Sequence, residues 1–346
     1  MADFLLLLRN EKIKNKIPRY LRDYMNPLDL SEEQFISRYR LTRESYLYVC
    51  DLLESKIKLK TSGHTVEQQV LMTLSLLASG SFQGVTADSK FSEMSQSSVS
   101  RSLGRVTKAL VDILPMFIKF PSTDQEKRNT RMKFFEASGF PRLLGIIDGT
   151  HIPIQRPPSD DWFMYINRKS IFSINVQLVC DKDLKISNVV ARWPGSVHDA
   201  YIWAACELRR VLTSGTDYLI GDAGYPLEPW LLKPYDTPTT AIEENFNKKL
   251  RSLRSSVERC NGVLKSRFRC LHKSGGNLLY SPSKSCQIIM ACCVLHNICI
   301  ERNIPLLEYI EDDNDDDEPD DLPTNTSVYA RGCLARSSIA QNLSER

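Results

Sequence analysis

The chain has 346 residues, 42% of them hydrophobic, with ten cysteines and a net charge of +3, enough apolar material for a full core and for two domains. The apolar run Phe4–Leu8 is short for a secretory signal and charges follow it, and no run reaches the ~20 apolar residues of a membrane span, so secretion and a place in the membrane are both disfavoured. No Cys-x-x-Cys pair offers an ordered zinc site, and Cys286, Cys292, Cys293 and Cys299 lie in an apolar stretch, which reads as reduced thiols in a cytosolic or nuclear protein.

The net charge hides an asymmetry. Glu311–Asp321 carries nine acids and no base, and without it the remainder moves from +3 to +12. A basic body with an acidic tail suits a nucleic-acid binder whose tail lowers non-specific affinity, and a plain solubilising tail has the same composition.

Residues 1–137 read as helical. Ser31 is placed as the cap of a helix beginning near Leu30-Ser-Glu-Glu-Gln-Phe35, and Tyr46, Val49, Leu52 and Leu53 recur at helical spacing. Further helices are expected over about 65–78, near 85–91, and over 95–114, the last ended by Pro115. In that last helix Val99, Leu103, Val106 and Leu110 make a buried face, with Gln96, Ser97, Ser100, Arg101, Arg105 and Lys108 opposite. Residues 65–114 thus have the pattern of a helix-turn-helix, whose second helix offers polar N-terminal residues to base edges. A structural bundle would carry the same pattern.

From Pro141 the texture changes to strands: 143–147, then 171–180 and 184–193 as a hairpin around Asp181-Lys-Asp183, then 218–220. An amphipathic helix is expected over 198–212 and a long one over 245–268. The order predicts an α/β domain over 138–305, a mixed sheet flanked by helices. Residues 306–346 are expected to form a disordered acidic tail.

Two strands lead into carboxylates, Asp148 in Leu144-Gly-Ile-Ile-Asp-Gly-Thr-His151 and Asp222 in Leu219-Ile-Gly-Asp-Ala-Gly-Tyr-Pro226. A lone Asp-Gly is more often a turn, and the repeat of the pattern argues for more. Glu258 is the single acid among nine Lys and Arg from Lys248 to Lys273. It could simply pair with Arg254 or Arg251, or it could be a metal ligand beside a phosphate track formed by Arg251, Arg254, Lys265 and Arg269. Asp199 could cap the helix it precedes or assist at the metal. His151 and His198 suit positions behind the ligands, and His296, on an apolar helix, suits the core. Hard cations such as Mg²⁺ and Mn²⁺ take several oxygen ligands, so scattered acids beside concentrated bases point to metal-dependent chemistry on a polyanion.

Together, Asp148-Gly-Thr-His151, Tyr165-Ile-Asn-Arg-Lys169, Trp193-Pro-Gly-Ser-Val-His-Asp199, Gly221-Asp-Ala-Gly-Tyr-Pro226, Val257-Glu-Arg259 with Leu264-Lys265 and Arg267-Phe268, and Cys292-Cys-Val-Leu-His-Asn297 resemble the PIF/Harbinger superfamily of transposases and the nucleases derived from it. The resemblance covers roughly residues 60–303. It implies an RNase H-like DDE catalytic domain that uses Mg²⁺ or Mn²⁺ to cleave DNA. Carried onto this chain, it makes Asp148 the first acid and Glu258 the last, with Asp222 and Asp199 both candidates for the second. It further implies a separate Myb/SANT-like DNA-binding partner; with no polybasic import run of five or more, residence in both cytoplasm and nucleus is expected, and a homo-oligomer is left open. A catalytically silent DNA- or partner-binding descendant, and a phosphohydrolase of small substrates, are the competing classes; the helix-turn-helix and the +12 body speak against the last.

Overall fold

Side chains that reach back to close the first turn mark several helix starts. Ser31, Thr65, Thr123 and Thr240 each accept a backbone N–H, while the residue three positions on returns a bond to the cap. The computed structural model describes residues 24–57, 63–87, 89–92, 94–310 and 326–345. Phe4–Leu8 and the acidic run Glu311–Asp321 lie outside them.

The N-terminal part consists of α1 (Glu32–Tyr39), α2 (Arg43–Glu54), α3 (Val66–Ser79), α4 (Gln83–Ala87), α5 (Gln96–Asp112), α6 (Leu114–Phe117) and α7 (Asp124–Ser138). Pro115 does not end α5; it sits in the first turn of α6, where a missing N–H costs nothing. Helix α7 escapes sequence reading because it buries only Phe134 and so lacks an apolar stripe.

The sheet comprises β1 (Leu143–Pro153), β2 (Ser173–Cys180), β3 (Ile186–Pro194), β4 (Tyr218–Ile220) and β5 (Leu231–Leu232), in the order β3-β2-β1-β4-β5. The β1–β2 and β2–β3 pairs are antiparallel, while β1–β4 and β4–β5 are parallel. Asp148-Gly149 is not the turn that its composition suggested. Pairing with β2 continues without a register shift from Ile146 to Pro153, so the dipeptide lies within the strand.

Alternation along the strands gives the sheet two apolar faces. Ile146, Ile152, Val176, Leu178 and Ile220 join the main core, which runs on without interruption into Phe35, Val70 and Leu103 of the N-terminal helices. Ile147, Val179 and Leu219 join a second cluster with Trp203, Leu212 and Trp230. The first face is covered by α10 (Ala241–Arg267) and α11 (Pro282–Glu301), the second by α8 (Asp199–Ala204) and α9 (Glu207–Thr213). The single helix expected over 198–212 is therefore two, broken at Ala205–Cys206.

By length and composition α11 is apolar enough to cross a membrane, contrary to the sequence reading, and the fold puts that surface in the core. His296 and Asn297 are both fully buried on it. Asn297 donates to the carbonyls of Phe117 and Ile186 and accepts the Ile186 N–H, while His296 Nε2 lies 2.8 Å from the Leu184 carbonyl. These bonds pin the β2–β3 turn to the helix. All ten cysteines are free thiols.

Residues 326–344, expected to be part of a disordered tail, form α12 (Thr326–Ser344). Its Ile339, Ala340 and Leu343 are buried, and Asn245 and Lys249 of α10 donate to the Leu343 carbonyl. A side chain at Gly332 would meet the backbone of Leu227 and Glu228, so glycine lets the helix close in.

Candidate active site

Parallel pairing of β1 and β4 aligns Ile146 with Ile220, and the extended backbone continues, with the Gly221 N–H donating to the Leu232 carbonyl. Two residues further along each strand, Asp148 and Asp222 therefore occupy neighbouring positions on the face toward α10. Asn261 of α10 donates its side-chain amide to Asp148 Oδ2 at 2.8 Å. Glu258 lies one turn before Asn261 and Arg254 one turn before Glu258, so all three share one side of the helix. Arg254 and Glu258 form an ion pair at 3.4 Å; the ion-pair reading of Glu258 is thus realised, and at the site. Asp222 is only 4% exposed, and its Oδ1 accepts the Gly224 N–H.

Asp148 keeps a partly exposed edge, yet its carboxyl is closely surrounded. Burial, foremost, and then the charges of Asp222, Asp199 and Glu258 hold its pKa well above the usual carboxylate range, with Arg254 opposing. The four acids therefore share one electrostatic field.

Asp199 reaches that field from the far side of the sheet. It does not cap α8, whose N-cap is His198 with no side-chain bond; it is the first residue of the helix. Its Oδ1 accepts from Asn175 Nδ2 at 2.8 Å, and the same amide also donates to the Val197 carbonyl. A Cβ at Gly149 would collide with the Asp199 carboxylate. The glycine after Asp148 thus admits the second-face acid to within contact of the β1 backbone.

Among the described residues, no three His, Cys, Asp or Glu side chains are drawn together as a closed metal-binding group. The acids that act on the Asp148 carboxyl are nonetheless hard oxygen donors, the type that Mg²⁺ and Mn²⁺ prefer. Asn261 Oδ1 is buried without a partner beside them. This donor set fits a hard divalent cation.

The remaining candidates are more dispersed. His151 is half-buried on the Asp199 side of β1, its Nδ1 3.0 Å from Ser173 Oγ. His198 is exposed, with Nδ1 2.8 Å from Arg168 Nη2. Arg251 lies open on α10, but Lys265 is only 5% exposed and is withdrawn from the face assigned to it. Arg269 lies beyond the end of α10 and pairs with Glu308 at 2.5 Å. On α5, Gln96, Ser97, Ser100 and Arg101 are exposed, whereas Arg105 turns inward to Gln69 Oε1 at 3.0 Å, because α3 packs against that side. Sequence reasoning missed Asn261 and Asn175. Only the first left a trace, its spacing of three from Glu258.

Residues 147–297 match the model of a family described as DDE superfamily endonuclease. The chain is 35% identical over 282 residues to the human "Putative nuclease HARBI1", covering 80% of both chains. It is 31% identical over 285 residues to the Xenopus laevis protein of that name, covering 81% of both. It is 26% identical over 344 residues to the Arabidopsis thaliana "Protein ALP1-like", covering 90% of this chain and 80% of that one. No solved structure matches. Identity at this level across four fifths of the human relative, together with the endonuclease model over the strands and helices that carry the acids, places this chain in the family of Harbinger transposase-derived nucleases, within the DDE superfamily endonucleases.

Proposed function

We propose that this protein is a divalent-metal-dependent DNA endonuclease with an RNase H-like core. Asp148 and Asp222 on adjacent parallel strands, under the helix that carries Glu258, are the observation that supports this reading most. Asp148, Asp222 and Glu258 would hold Mg²⁺ or Mn²⁺, which when bound supplies activation of a water and stabilisation of the leaving oxygen in an in-line displacement. Asn261 fixes the orientation of Asp148 by its amide bond. Arg254 balances part of the negative charge and can turn from Glu258 to a phosphate oxygen. Asp199, held by Asn175, supports the site through the Gly149 backbone. Arg251, exposed on the same helix as Glu258, would follow the phosphate backbone.

The exposed residues at the start of α5 support a role for that helix as a DNA reader of limited specificity, with Gln96, Ser97, Ser100 and Arg101 in the groove. A Myb/SANT-like partner would then supply target selection and draw a protein shared between cytoplasm and nucleus onto DNA.

Purified full-length protein with Mn²⁺ or Mg²⁺ is expected to nick duplex DNA, and EDTA should stop it. Asp148→Asn and Glu258→Gln should abolish cleavage while DNA binding persists. Cleavage by these variants equal to that of the parent would refute the assignment. Binding without cleavage in the parent itself would identify a silent descendant that keeps the fold as a binding module.

A further inference from the structure

Beyond Asp148, strand β1 runs on to an exposed surface rich in aromatic and basic side chains. Phe163 is 59% and Tyr201 52% exposed, so both rings are open to a partner. Trp162 carries the Arg156 guanidinium 4.1 Å from its ring centre. Trp193 meets Tyr201 edge-on at 5.2 Å and lies under Arg192. Arg168 and Lys169 project from a tight turn closed by Asn167, whose side-chain oxygen accepts the N–H groups of Lys169 and Ile171. Asp160 and Asp161 lie on the same loop, fewer than the four bases Arg156, Arg168, Lys169 and Arg192.

Two loops build this surface, and they are locked together. The Ser196 N–H donates to the Met164 carbonyl, and a side chain at Gly195 would strike Ser173 Oγ and the Tyr165 carbonyl. Arg168 reaches His198, the residue before Asp199. His151 and Pro153, at the near and far edges of the surface, stand three and five residues beyond Asp148 on β1. At ~3.3 Å per residue these positions lie roughly 10–17 Å along the strand from Asp148. The motifs Tyr165-Ile-Asn-Arg-Lys169 and Trp193-Pro-Gly-Ser-Val-His198, which the cleavage chemistry leaves without a task, both contribute to it.

Exposed rings interleaved with cations beside a phosphodiester-cleaving centre match the way unpaired nucleotides are bound. Each base stacks on an aromatic face while Lys and Arg follow the backbone. A base inside a duplex has no free face to offer. We propose that Trp162, Phe163, Trp193 and Tyr201 form a stacking platform for unpaired nucleotides adjoining the cleavage position, so that the DNA acted on carries a single-stranded or unstacked segment there. The proposal rests on the endonuclease reading for its position and on the surface itself for its chemistry.

The test is fluorescence anisotropy of the full-length protein in EDTA, so that its outcome does not depend on cleavage. The probes are a labelled single strand, the matching blunt duplex, and that duplex with a single-stranded extension. The parent should prefer the first and third. The Phe163→Ala/Tyr201→Ala double variant should lose on the order of tenfold affinity for both while duplex binding is unchanged. Phe163→Trp, which keeps a ring, should retain the preference, and a thermal melt matching the parent excludes misfolding of the double variant. Equal losses on all three probes would overturn the platform in favour of general charge attraction. Unchanged binding to every probe would overturn it in favour of a protein-docking surface. If cleavage is absent but the preference and its loss are seen, the endonuclease reading fails and the platform stands.

Discussion

Asp199 closes against the bare backbone of Gly149, from the face of the sheet opposite to the one where Asp148 meets Asn261. The acids thus approach β1 from two sides: Asp148, Asp222 and Glu258 from the α10 side, and Asp199 from behind. The charges of both sets act on the Asp148 carboxyl.

That arrangement ranks the second acid. Asp222→Asn should remove cleavage as completely as Asp148→Asn. Asp199→Asn should lower kcat/KM by about 10–100-fold, the usual cost of losing a group that supports a metal ligand without binding the metal. Measured rates in the opposite order would make Asp199 the direct ligand.

Gly149→Val would force its side chain into the space of the Asp199 carboxylate. Its effect on cleavage should resemble that of Asp199→Ala, and the double variant should be little worse than either single one, because both remove the same contact. A double-mutant cycle measures this directly; additive losses would separate the two residues.

Asn261→Asp would place a further acid against Asp148. In EDTA the variant should melt at a lower temperature than the parent, since like charges at short range repel. With Mn²⁺ its melting temperature should rise by more than that of the parent, since a cation offsets more repulsion there. Equal shifts in a calorimetric scan would remove Asn261 from the metal's surroundings.

Glu228 is buried and accepts from Trp203 Nε1 at 2.9 Å, Trp230 Nε1 at 2.5 Å and Arg209 Nη2 at 2.7 Å. Glu228→Ala strands three donors and should cost about 3–5 kcal/mol in urea unfolding, as for other buried pairs that lose one partner. Glu228→Gln, which can still accept, should cost less. A loss under 1 kcal/mol for the alanine variant would mean that water replaces the carboxylate.

Lys284 is packed between α11 and α5 with its ammonium on Thr107 Oγ1 at 3.0 Å. Burial lowers its pKa to about 8 from an ordinary 10.5. The folded state then binds fewer protons than the unfolded chain between those values, so this group makes stability rise as pH climbs through that window. Below pH 8 the cost of holding the charge is present in full. Relative to the parent, Lys284→Met should gain stability near neutral pH, and the gain should vanish by about pH 10.5. Parallel stability curves over this range would contradict the assignment.

Much of this protein is legible in the residues themselves. Ser31 and the β-rich texture after Pro141 gave helix start and sheet, because capping and alternation are local effects that depend on a few neighbours. Asp148, Asp222 and Glu258 stood out because each interrupts a run of different character, apolar in the first two cases and basic in the third. The cap reading left open for Asp199 falls because His198 precedes the helix, and the DNA-facing position given to Lys265 did not hold because that depends on which surface a helix buries. The same is true of the tail, where α12 forms on the support of α10. Sequence alone therefore marked out the candidate acids and most of the elements that carry them. Tertiary structure decided their partners and sides: Asn261 on Asp148, Arg105 turned to Gln69, and Asp199 behind Gly149. Those relations join residues up to 113 positions apart, and only packing of the sheet against its helices brings them within reach.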